Sequence, residues 1–364
     1  MRVIHLITNF AYRGGAEQML ARFIDGDNKN KHAIVSVLNI SSMYQKTLDK
    51  CEKHQALEWN GLNTIGALVK LLTFIKNYQP DVIQCWMYHG NFFGALAKKY
   101  SKTEFKLCWG VHHSLDSYKD ESISTKVSLF MGKTLRKVPD EVVFCSQSSM
   151  EQHFNYGYKG KKNIFIPNGI PIEDFTFDVS HKNYNDTVVF GCAGRYHPAK
   201  GYNYLIEAIS LLQERTNLFV FKIAGRDMLS DNQELMNTFA KNNVDMTKVQ
   251  LLGEVEDMQS FYQSLDCFVL SSITEGFPTV LLEAMSIGLH CITTDVGDAA
   301  YIVNKHGFVV EPRNPECLAN AFYNYIKMPK NIKLTIAKDN QEYILMNFSV
   351  SKVVERFNKI WLSD

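Results

Sequence analysis

The chain has 364 residues, 46% of them hydrophobic and 21% charged, which is typical of a globular protein with two domains that each bury a core. No apolar run approaches the roughly 18–20 residues that a membrane-spanning helix needs. The apolar run at Met1–Ile7 lacks the cleavage site of a signal peptide, and we expect a buried first strand there. None of the eight cysteines forms a Cys-x-x-Cys pair, so we expect buried free thiols in a cytoplasmic protein, not zinc or disulfide sites.

Short β-rich runs alternate with amphipathic helical patterns, which predicts βα units on parallel sheets. The first half is predicted to form strands at Val3–Thr8, His32–Leu38, Asp81–Cys85, Phe105–Val111, Glu141–Cys145 and Asn163–Ile166. Helices are predicted between them at Ala16–Ile24, Thr64–Asn77, Asn91–Lys99 and Ser146–Phe154.

A change of composition separates the two halves. Turn formers and polar residues dominate from Pro167 to Asn185, where we place an interdomain linker. The second half is predicted to form strands at Thr187–Ala193, Leu218–Ala224, Val249–Leu252, Cys267–Leu270 and His290–Thr293. Its helices are predicted at Tyr202–Glu214, Gln233–Asn242, Val280–Ile287, Pro315–Met328, Asn331–Asn347 and Val350–Leu362. We therefore expect two similar α/β domains, residues 1–170 and 186–347, with a cleft between them.

The charge is unevenly distributed. Residues 1–170 carry 22 Lys and Arg against 14 Asp and Glu, whereas residues 171–364 carry 17 against 24. A basic half can bind anionic lipid or phosphate, although each cluster of lysines could also be an ordinary solvated surface. Nothing in the pattern indicates a nucleic-acid partner.

Glycine-rich turns follow the first predicted strand of each half. Gly14 and Gly15 open a helix with bare backbone N–H groups, and the turn lacks the G-x-G-x-x-G pattern of NAD enzymes. In the second half, Arg195 and Lys200 lie between Gly194 and Gly201, at the strand end where α/β sheets bind ligands. Two cations there can neutralise a diphosphate leaving group, or they can be idle charges on a surface loop.

Two carboxylates, Glu275 and Glu283, bracket the run Gly276-Phe277-Pro278-Thr279. A loop of this kind that enters a helix offers N–H groups to phosphate, and carboxylates accept hydrogen bonds from sugar hydroxyls. Thr279 and Glu283 are one helical turn apart and can face the same ligand. The combination suits a sugar nucleotide, while the simpler interpretation is a loop and a buried helix cap.

Two further motifs carry less information. His112 and His113 end a predicted strand and point in different directions, so at most one of them is expected to face the site. Asp25-Gly26-Asp27 could hold a divalent metal, but it follows a helix and we expect a solvated loop with no bound metal. The chain has no Gly-x-Ser-x-Gly elbow and no Walker loop, which removes the commonest hydrolase and NTPase functions.

Taken in order, four elements resemble those of the retaining glycosyltransferases of the GT-B fold, family 4. They are Gly14-Gly15-Ala16-Glu17, Pro167-Asn168-Gly169, Gly194-Arg195 with Lys200-Gly201, and Glu275 with Glu283. The resemblance implies two Rossmann-like doubly wound domains facing a central cleft. It further implies an N-terminal acceptor domain, a C-terminal nucleotide-sugar domain, and a last helix, about 348–364, that packs back on the first domain. After Asn168-Gly169 the family usually has an Asp near the third position, whereas this chain has Ile170-Pro171-Ile172-Glu173. This difference weakens the match at the hinge.

The resemblance also implies roles for individual residues. Arg195 and Lys200 match the cations that hold the donor diphosphate, and Glu283 matches the carboxylate that grips the ribose. Glu275 matches the group that contacts the transferred sugar, and the backbone of Gly276, Phe277, Pro278 and Thr279 matches the loop that cradles sugar and phosphate. Gly15 matches the first-domain glycine that lies against the diphosphate, and its neighbour Gly14 is expected to bind the donor with it. His112 matches the histidine near the reaction centre.

The expected function is thus retaining transfer of a hexosyl or N-acetylhexosaminyl group, without metal or other cofactor. The donor is expected to be a UDP-sugar, and the acceptor a saccharide carried on a lipid at the inner face of an anionic membrane. A nucleotide-sugar epimerase of the same fold and a non-catalytic carbohydrate- or membrane-binding scaffold remain alternatives. Acceptor choice depends on the loops Phe10–Arg13, Trp86–His89 and Ser114–Ser124.

Overall fold

The computed structural model describes residues 1–115, 118, 122–175, 177–179, 182 and 184–363, without side chains for 173 and 174. The chain divides into two compact units. One contains residues 1–169 and 350–364, and the other contains residues 170–349. The segment 170–185, which the sequence predicts to belong to a linker, falls in the second unit. Residues 176, 180, 181 and 183 of this predicted linker lie outside the described residues.

The first unit is a parallel sheet covered by helices. Its strands are β1 (Arg2–Ile7), β2 (Lys31–Ser36), β3 (Lys53–Ala56), β4 (Val82–Trp86), β5 (Lys106–Val111), β6 (Glu141–Phe144) and β7 (Lys162–Phe165). The helices among them are α1 (Gly15–Gly26), α2 (Gln45–Leu48), α3 (Thr64–Tyr78), α4 (Met87–Tyr100), α5 (Ile123–Leu135) and α6 (Gln147–Tyr156). Local chemistry sets several ends: the Ser122 and Ser146 hydroxyls cap α5 and α6, and Gln79 ends α3 in a left-handed conformation before Pro80.

The strand order of this sheet is β3-β2-β1-β4-β5-β6-β7, all parallel. The chain builds outward from β1 on one side and then returns to build outward from β4 on the other. The loops after β1 and β4 therefore leave the same edge of the sheet in opposite directions. Such a reversal is where parallel α/β sheets bind their ligands.

The second unit repeats this plan. Its strands are β8 (Val188–Ala193), β9 (Phe219–Ala224), β10 (Val249–Gly253), β11 (Cys267–Leu270), β12 (His290–Thr294) and β13 (Gly307–Val310). Its helices are α7 (Tyr202–Gln213), α8 (Gln233–Lys241), α9 (Met258–Gln263), α10 (Thr279–Ser286), α11 (Ala299–Val303), α12 (Pro315–Lys327) and α13 (Lys330–Phe348). The order β10-β9-β8-β11-β12-β13 places the reversal between β8 and β11.

The prediction of two parallel-sheet α/β domains is confirmed, with differences in detail. Two strands were missed because both lie at sheet edges: β3 is Lys-His-Gln-Ala, and β13 begins with glycine. Helix α5 was missed because its Ile123, Val127 and Phe130 are exposed and do not follow a buried pattern. Asp27 was predicted to lie in a solvated loop, which is wrong: it is 5% exposed and accepts hydrogen bonds from Lys29 N and Asn30 Nδ2.

The last helix, α14 (Val350–Leu362), packs on the first unit beside α1. Val353, Phe357 and Trp361 recur at helical spacing and enter the core that α1 forms with the sheet. The Trp361 ring meets the Phe23 ring edge-on at 5.5 Å, and its Nε1 donates to the buried Gln84 Oε1 at 3.2 Å. At the same C-terminal end of the helix, Lys106 Nζ donates to the carbonyl oxygens of Ile360 and Ser363. None of the helices in the described residues has the length and hydropathy of a membrane-spanning segment.

Trp361→Ala should lower the free energy of unfolding of the first unit by about 3–5 kcal/mol, because it leaves a cavity and an unpaired Gln84 oxygen. Leu362→Ala is the matched control, since Leu362 is 70% exposed whereas Trp361 is 4% exposed. The control should change stability by less than about 0.5 kcal/mol. Denaturant unfolding followed by circular dichroism measures both, and equal losses would contradict the docking described here.

Candidate active site

The reversal in the second sheet brings together the loops that follow β8 and β11. Ile273 N donates to Ala199 O at 2.8 Å, and Ser271 Oγ donates to Lys200 O at 3.0 Å. Gly201 has φ +64° between these loops, and a Cβ there would lie 2.2 Å from Ser271 O. Only glycine allows this approach, which fixes the position of the residue before it, Lys200.

An ion pair spans the two loops. Lys200 Nζ lies 2.6 Å from Glu275 Oε1, and the Ser272 hydroxyl donates to the same oxygen at 2.6 Å. The two side chains are 26% and 15% exposed, so both charges are partly shielded yet remain reachable. Arg195 is exposed, and no hydrogen bond or ion pair joins it to the described residues. One cation is therefore held in place, and a second lies on the same connection between β8 and α7.

The loop from Gly276 to Pro278 is held in place by backbone contacts with Gly297 and Asp298. Asp298 N donates to Gly276 O at 3.0 Å, and Gly297, with φ +53°, packs so closely that a Cβ would lie 2.2 Å from Glu275 O. Phe277 anchors the loop by burying its ring near Phe348, with centroids 6.2 Å apart. Helix α10 starts immediately afterwards, and Pro278 at its N-cap supplies no side-chain hydrogen bond. The helix start thus presents backbone N–H groups and positive dipole to a ligand.

Glu283 lies one turn into α10 after Thr279, and both residues are half-buried. The Tyr262 hydroxyl donates to Glu283 Oε2 at 3.0 Å and so orients the carboxylate. An open depression of about 610 Å³ lies at the ends of β8, β9 and β10 in the same unit. Tyr196, Arg226 and Glu254 are among the residues that line it.

In the first unit, the predicted residues lie at the carboxyl edge of the sheet. Gly14 is the N-cap of α1 without a side-chain cap, and a Cβ on Gly14 would lie 2.3 Å from Glu17 Oε2. A Cβ on Gly15 would meet nothing within 4 Å, so an incoming group can approach this backbone closely. Burial raises the pKa of Glu17, the acidic residue of this first turn.

His112 follows β5 at the same edge. Its Nδ1 pairs with Asn168 Oδ1 at 3.2 Å, and its ring stacks on Trp86 with centroids 4.8 Å apart. Burial lowers the pKa of His112 to about 4, although the Asn168 contact opposes the shift, so the ring is neutral near pH 7. Its Nε2 is buried and has no hydrogen-bond partner among the described residues. Since Nδ1–H donates to Asn168, Nε2 offers a lone pair to a hydroxyl donor.

The second unit thus carries one group of predicted site residues near the reversal of its sheet: Arg195, Lys200, Glu275, the 276–279 loop and Glu283. The first unit carries the others, Gly14, Gly15 and His112, at the carboxyl edge of its sheet. Sequence reasoning missed Ser272, Tyr262 and Gly297, which orient these groups. Gly297 follows a predicted strand and could have been noticed, but Tyr262 is 21 residues from Glu283 and gives no local signal. In the expected acceptor loop 114–124, residues 116, 117 and 119–121 lie outside the described residues. Across the described chain, no three His, Cys, Asp or Glu side chains cluster to hold a metal ion.

Comparison with known proteins adds a family to this geometry. Residues 13–174 match the model described as Glycosyltransferase Family 4, and residues 187–328 match the model described as Glycosyl transferases group 1. Together the two matches cover most of the chain, one in each unit.

Individual proteins with similar sequences are also glycosyltransferases. The UDP-Gal:alpha-D-GlcNAc-diphosphoundecaprenol alpha-1,3-galactosyltransferase of Escherichia coli is 26% identical over 324 residues, covering 83% of this chain and 80% of that protein. An uncharacterized glycosyltransferase of Methanocaldococcus jannaschii is 27% identical over 244 residues, 62% of this chain, and the match spans 58% of the relative's length.

A solved structure shows the same fold. HepE of Anabaena, crystallised with UDP, superposes with a TM-score of 0.82 over 99% of both chains at 20% identity. The same protein has also been solved with UDP-glucose. With two parallel-sheet units and a family model matched in each, the chain belongs to the family 4 glycosyltransferases of the GT-B fold.

Proposed function

We propose that this chain transfers a hexosyl or N-acetylhexosaminyl group, with retention of configuration, from a UDP-sugar to a saccharide carried on a lipid diphosphate. The observation that carries the proposal is the Lys200–Glu275 pair at the reversal of the second sheet, beside the start of α10. It combines a fixed cation, a hydroxyl acceptor and free helix N–H groups within one small region. An activated sugar offers the matching diphosphate and hydroxyls.

The diphosphate of the donor binds Arg195, Lys200 and the start of α10, because each supplies positive charge or N–H donors. Glu275 turns its carboxylate to a hydroxyl of the transferred sugar. Glu283, held by Tyr262, accepts hydrogen bonds from the ribose hydroxyls, and the depression lined by Tyr196 receives the base. The complexes of HepE with UDP and UDP-glucose support a uridine donor.

In the reaction, the bond from the sugar C1 to the diphosphate oxygen breaks, and the electron pair leaves with UDP. An acceptor hydroxyl forms the new bond to C1 on the same face and gives its proton to the departing phosphate oxygen. Arg195 and Lys200 stabilise the charge that develops there, each by a few kcal/mol, about what other preorganised donors contribute. We assign His112 Nε2 the role of accepting a hydrogen bond from a sugar hydroxyl.

The first unit has the surface chemistry to meet an anionic membrane. Ile123, Val127 and Phe130 are 82%, 56% and 59% exposed at positions i, i+4 and i+7 of α5, and we call them the α5 stripe. Exposed Lys133 and Arg136 lie at the end of the same helix. An apolar stripe with neighbouring cations inserts at the headgroup level of anionic lipid. A lipid-linked acceptor is also named for the Escherichia coli relative, which acts on a diphosphoundecaprenol saccharide.

Lys200→Ala and Arg195→Ala should each lower kcat/KM by about 10²–10³-fold, because a cation at the leaving phosphate is lost. A screen of nucleotide sugars for UDP release with a saccharide acceptor measures the rate, and the anomeric configuration of the product tests retention. Lys241→Ala, an exposed lysine in the last turn of α8, is the matched control and should be as active as the wild type. Transfer at the wild-type rate by both Arg195 and Lys200 variants would refute the assignment.

Transfer should persist in excess EDTA, because Arg195 and Lys200 supply the positive charge that other glycosyltransferases take from a divalent metal. The measurement is UDP release with and without chelator after dialysis. Loss of activity in EDTA that is restored by added Mg²⁺ or Mn²⁺ would show that the cations alone do not suffice.

Wild-type protein should float with anionic phosphatidylglycerol liposomes at low salt, and the double change Val127→Asp with Phe130→Asp should abolish flotation. The acidic side chains remove apolar contact and repel the lipid surface. Leu345→Asp, which places the same charge on an exposed apolar position of α13, should float like the wild type. Failure of the wild type to float would contradict the membrane proposal and leave the donor site unaffected.

A further inference from the structure

A line of buried polar side chains runs through the first unit toward His112. Trp86 Nε1 donates to His5 Nδ1 at 3.2 Å, and His5 Nε2 lies 3.0 Å from His32 Nδ1. His32 Nε2 lies 3.5 Å from Asp27 Oδ2, an electrostatic contact longer than a full hydrogen bond. All four residues are buried, on β4, β1, β2 and the end of α1. We call them the Asp27–Trp86 line.

The donors and acceptors along the line have one consistent arrangement. An indole N–H can only donate, so His5 must accept at Nδ1 and carries its proton on Nε2. That proton is donated to His32 Nδ1, which leaves the His32 proton on Nε2 facing Asp27. Burial lowers the pKa of His5, and the neighbouring His32 lowers it further. Burial also lowers the pKa of His32; Asp27 opposes this shift, and the Met1 amino group adds to it. Both rings are therefore neutral, with both protons on Nε2.

The other end of the line meets the candidate active site. The Trp86 indole stacks on the His112 ring at an angle of 22°, and Phe357 of α14 also stacks on the indole, with centroids 6.0 Å apart. The next residue, Met87, has φ +71°, a left-handed conformation that is strained for a residue with a side chain. Strain of this kind persists only where surrounding contacts hold the backbone in place.

We propose that His5 is a positioning residue, held by His32 and Asp27 in the tautomer that accepts at Nδ1: it fixes the rotation of the Trp86 indole, which in turn fixes where His112 presents Nε2. The proposal rests on the role assigned above to His112. Without an acceptor at His5, the indole N–H would be buried and unpaired, and the ring would turn to find another partner. His112 would then lose the surface on which its ring rests.

Two substitutions at His5 separate this role from simple packing. In His5→Asn the amide oxygen stands near the position of Nδ1 and still accepts from Trp86, whereas in His5→Gln the amide reaches the position of Nε2 and keeps only His32. We expect kcat at saturating substrates to fall about 10–100-fold in His5→Gln, as small misplacements of catalytic groups do, and to stay within about threefold of wild type in His5→Asn. The KM for donor should change little in both, because the charged groups proposed to bind the donor, Arg195, Lys200, Glu275 and Glu283, belong to the other unit. Leu71→Ala, which opens a cavity in a different core, controls for lost stability and should keep kcat.

A second readout follows the ring of His112. With Trp86 displaced, burial no longer lowers the pKa of His112 to about 4, and it rises toward 6.5. Protonated Nε2 cannot accept, so the acidic limb of the kcat profile should move to higher pH in His5→Gln and stay in place in His5→Asn. Among the described residues, the groups recorded against this ring are Trp86 and Asn168, neither of which titrates in that range.

Nitrogen-15 NMR of histidine-labelled protein tests the line without any assay. His5 and His32 should show protons on Nε2, and His112 a proton on Nδ1. Equal kcat in the Gln and Asn variants, or an Nδ1–H tautomer at His5, would overturn the proposal. If the wild type transfers no sugar, the proposed function fails, while the tautomers and the pKa of His112 in both variants still decide the proposal.

Discussion

The ion pair between Lys200 and Glu275 is the contact on which the candidate donor site depends. It can form only because the strand order reverses between β8 and β11, so that two loops leave the sheet edge side by side. Gly201 lets those loops touch, and Ser272 holds the carboxylate. Partly shielded ion pairs of this kind add little to stability, because the lost solvation offsets the attraction. The contact is therefore better explained by a ligand that uses both charges than by a gain in stability.

The first unit has the same kind of strand-order reversal, but the chemical groups near it differ. Its reversal lies between β1 and β4, where the turn after β1 carries glycine N–H donors, and a neutral ring follows the next strand, β5. His112 is neutral because burial disfavours its charged form, and its stacking partner Trp86 is held in turn by a histidine. One edge therefore carries paired charges, and the other offers hydrogen bonds of fixed direction. The same topology thus presents different chemical groups in the two units.

The sequence predicted those parts of the molecule whose determinants are local. Buried strands such as β11 are short apolar runs, and the glycine and carboxylate motifs lie at their ends, so their place at a sheet edge follows from topology. The rest depends on partners distant in sequence. Asp27 seemed to be solvated because its neighbours are polar, yet His32 and Asn30 enclose it. Likewise, nothing near Glu283 indicates Tyr262, and no pattern encodes the left-handed backbone of Met87.

The charges around the second reversal bear on how it distinguishes ligands. Arg195 and Lys200 carry two positive charges, and Glu275 and Glu283 carry two negative ones, so the four side chains balance without a donor. Free phosphate gains the cations but faces the carboxylates, which repel it. A sugar nucleotide presents hydroxyls to those same carboxylates and satisfies both sets of groups at once. Under the proposed function, preference for an activated sugar over phosphate would follow from placing acids beside the cations, and the close backbone approaches at Gly201 and Gly297 fix the loops that carry Lys200 and Glu275.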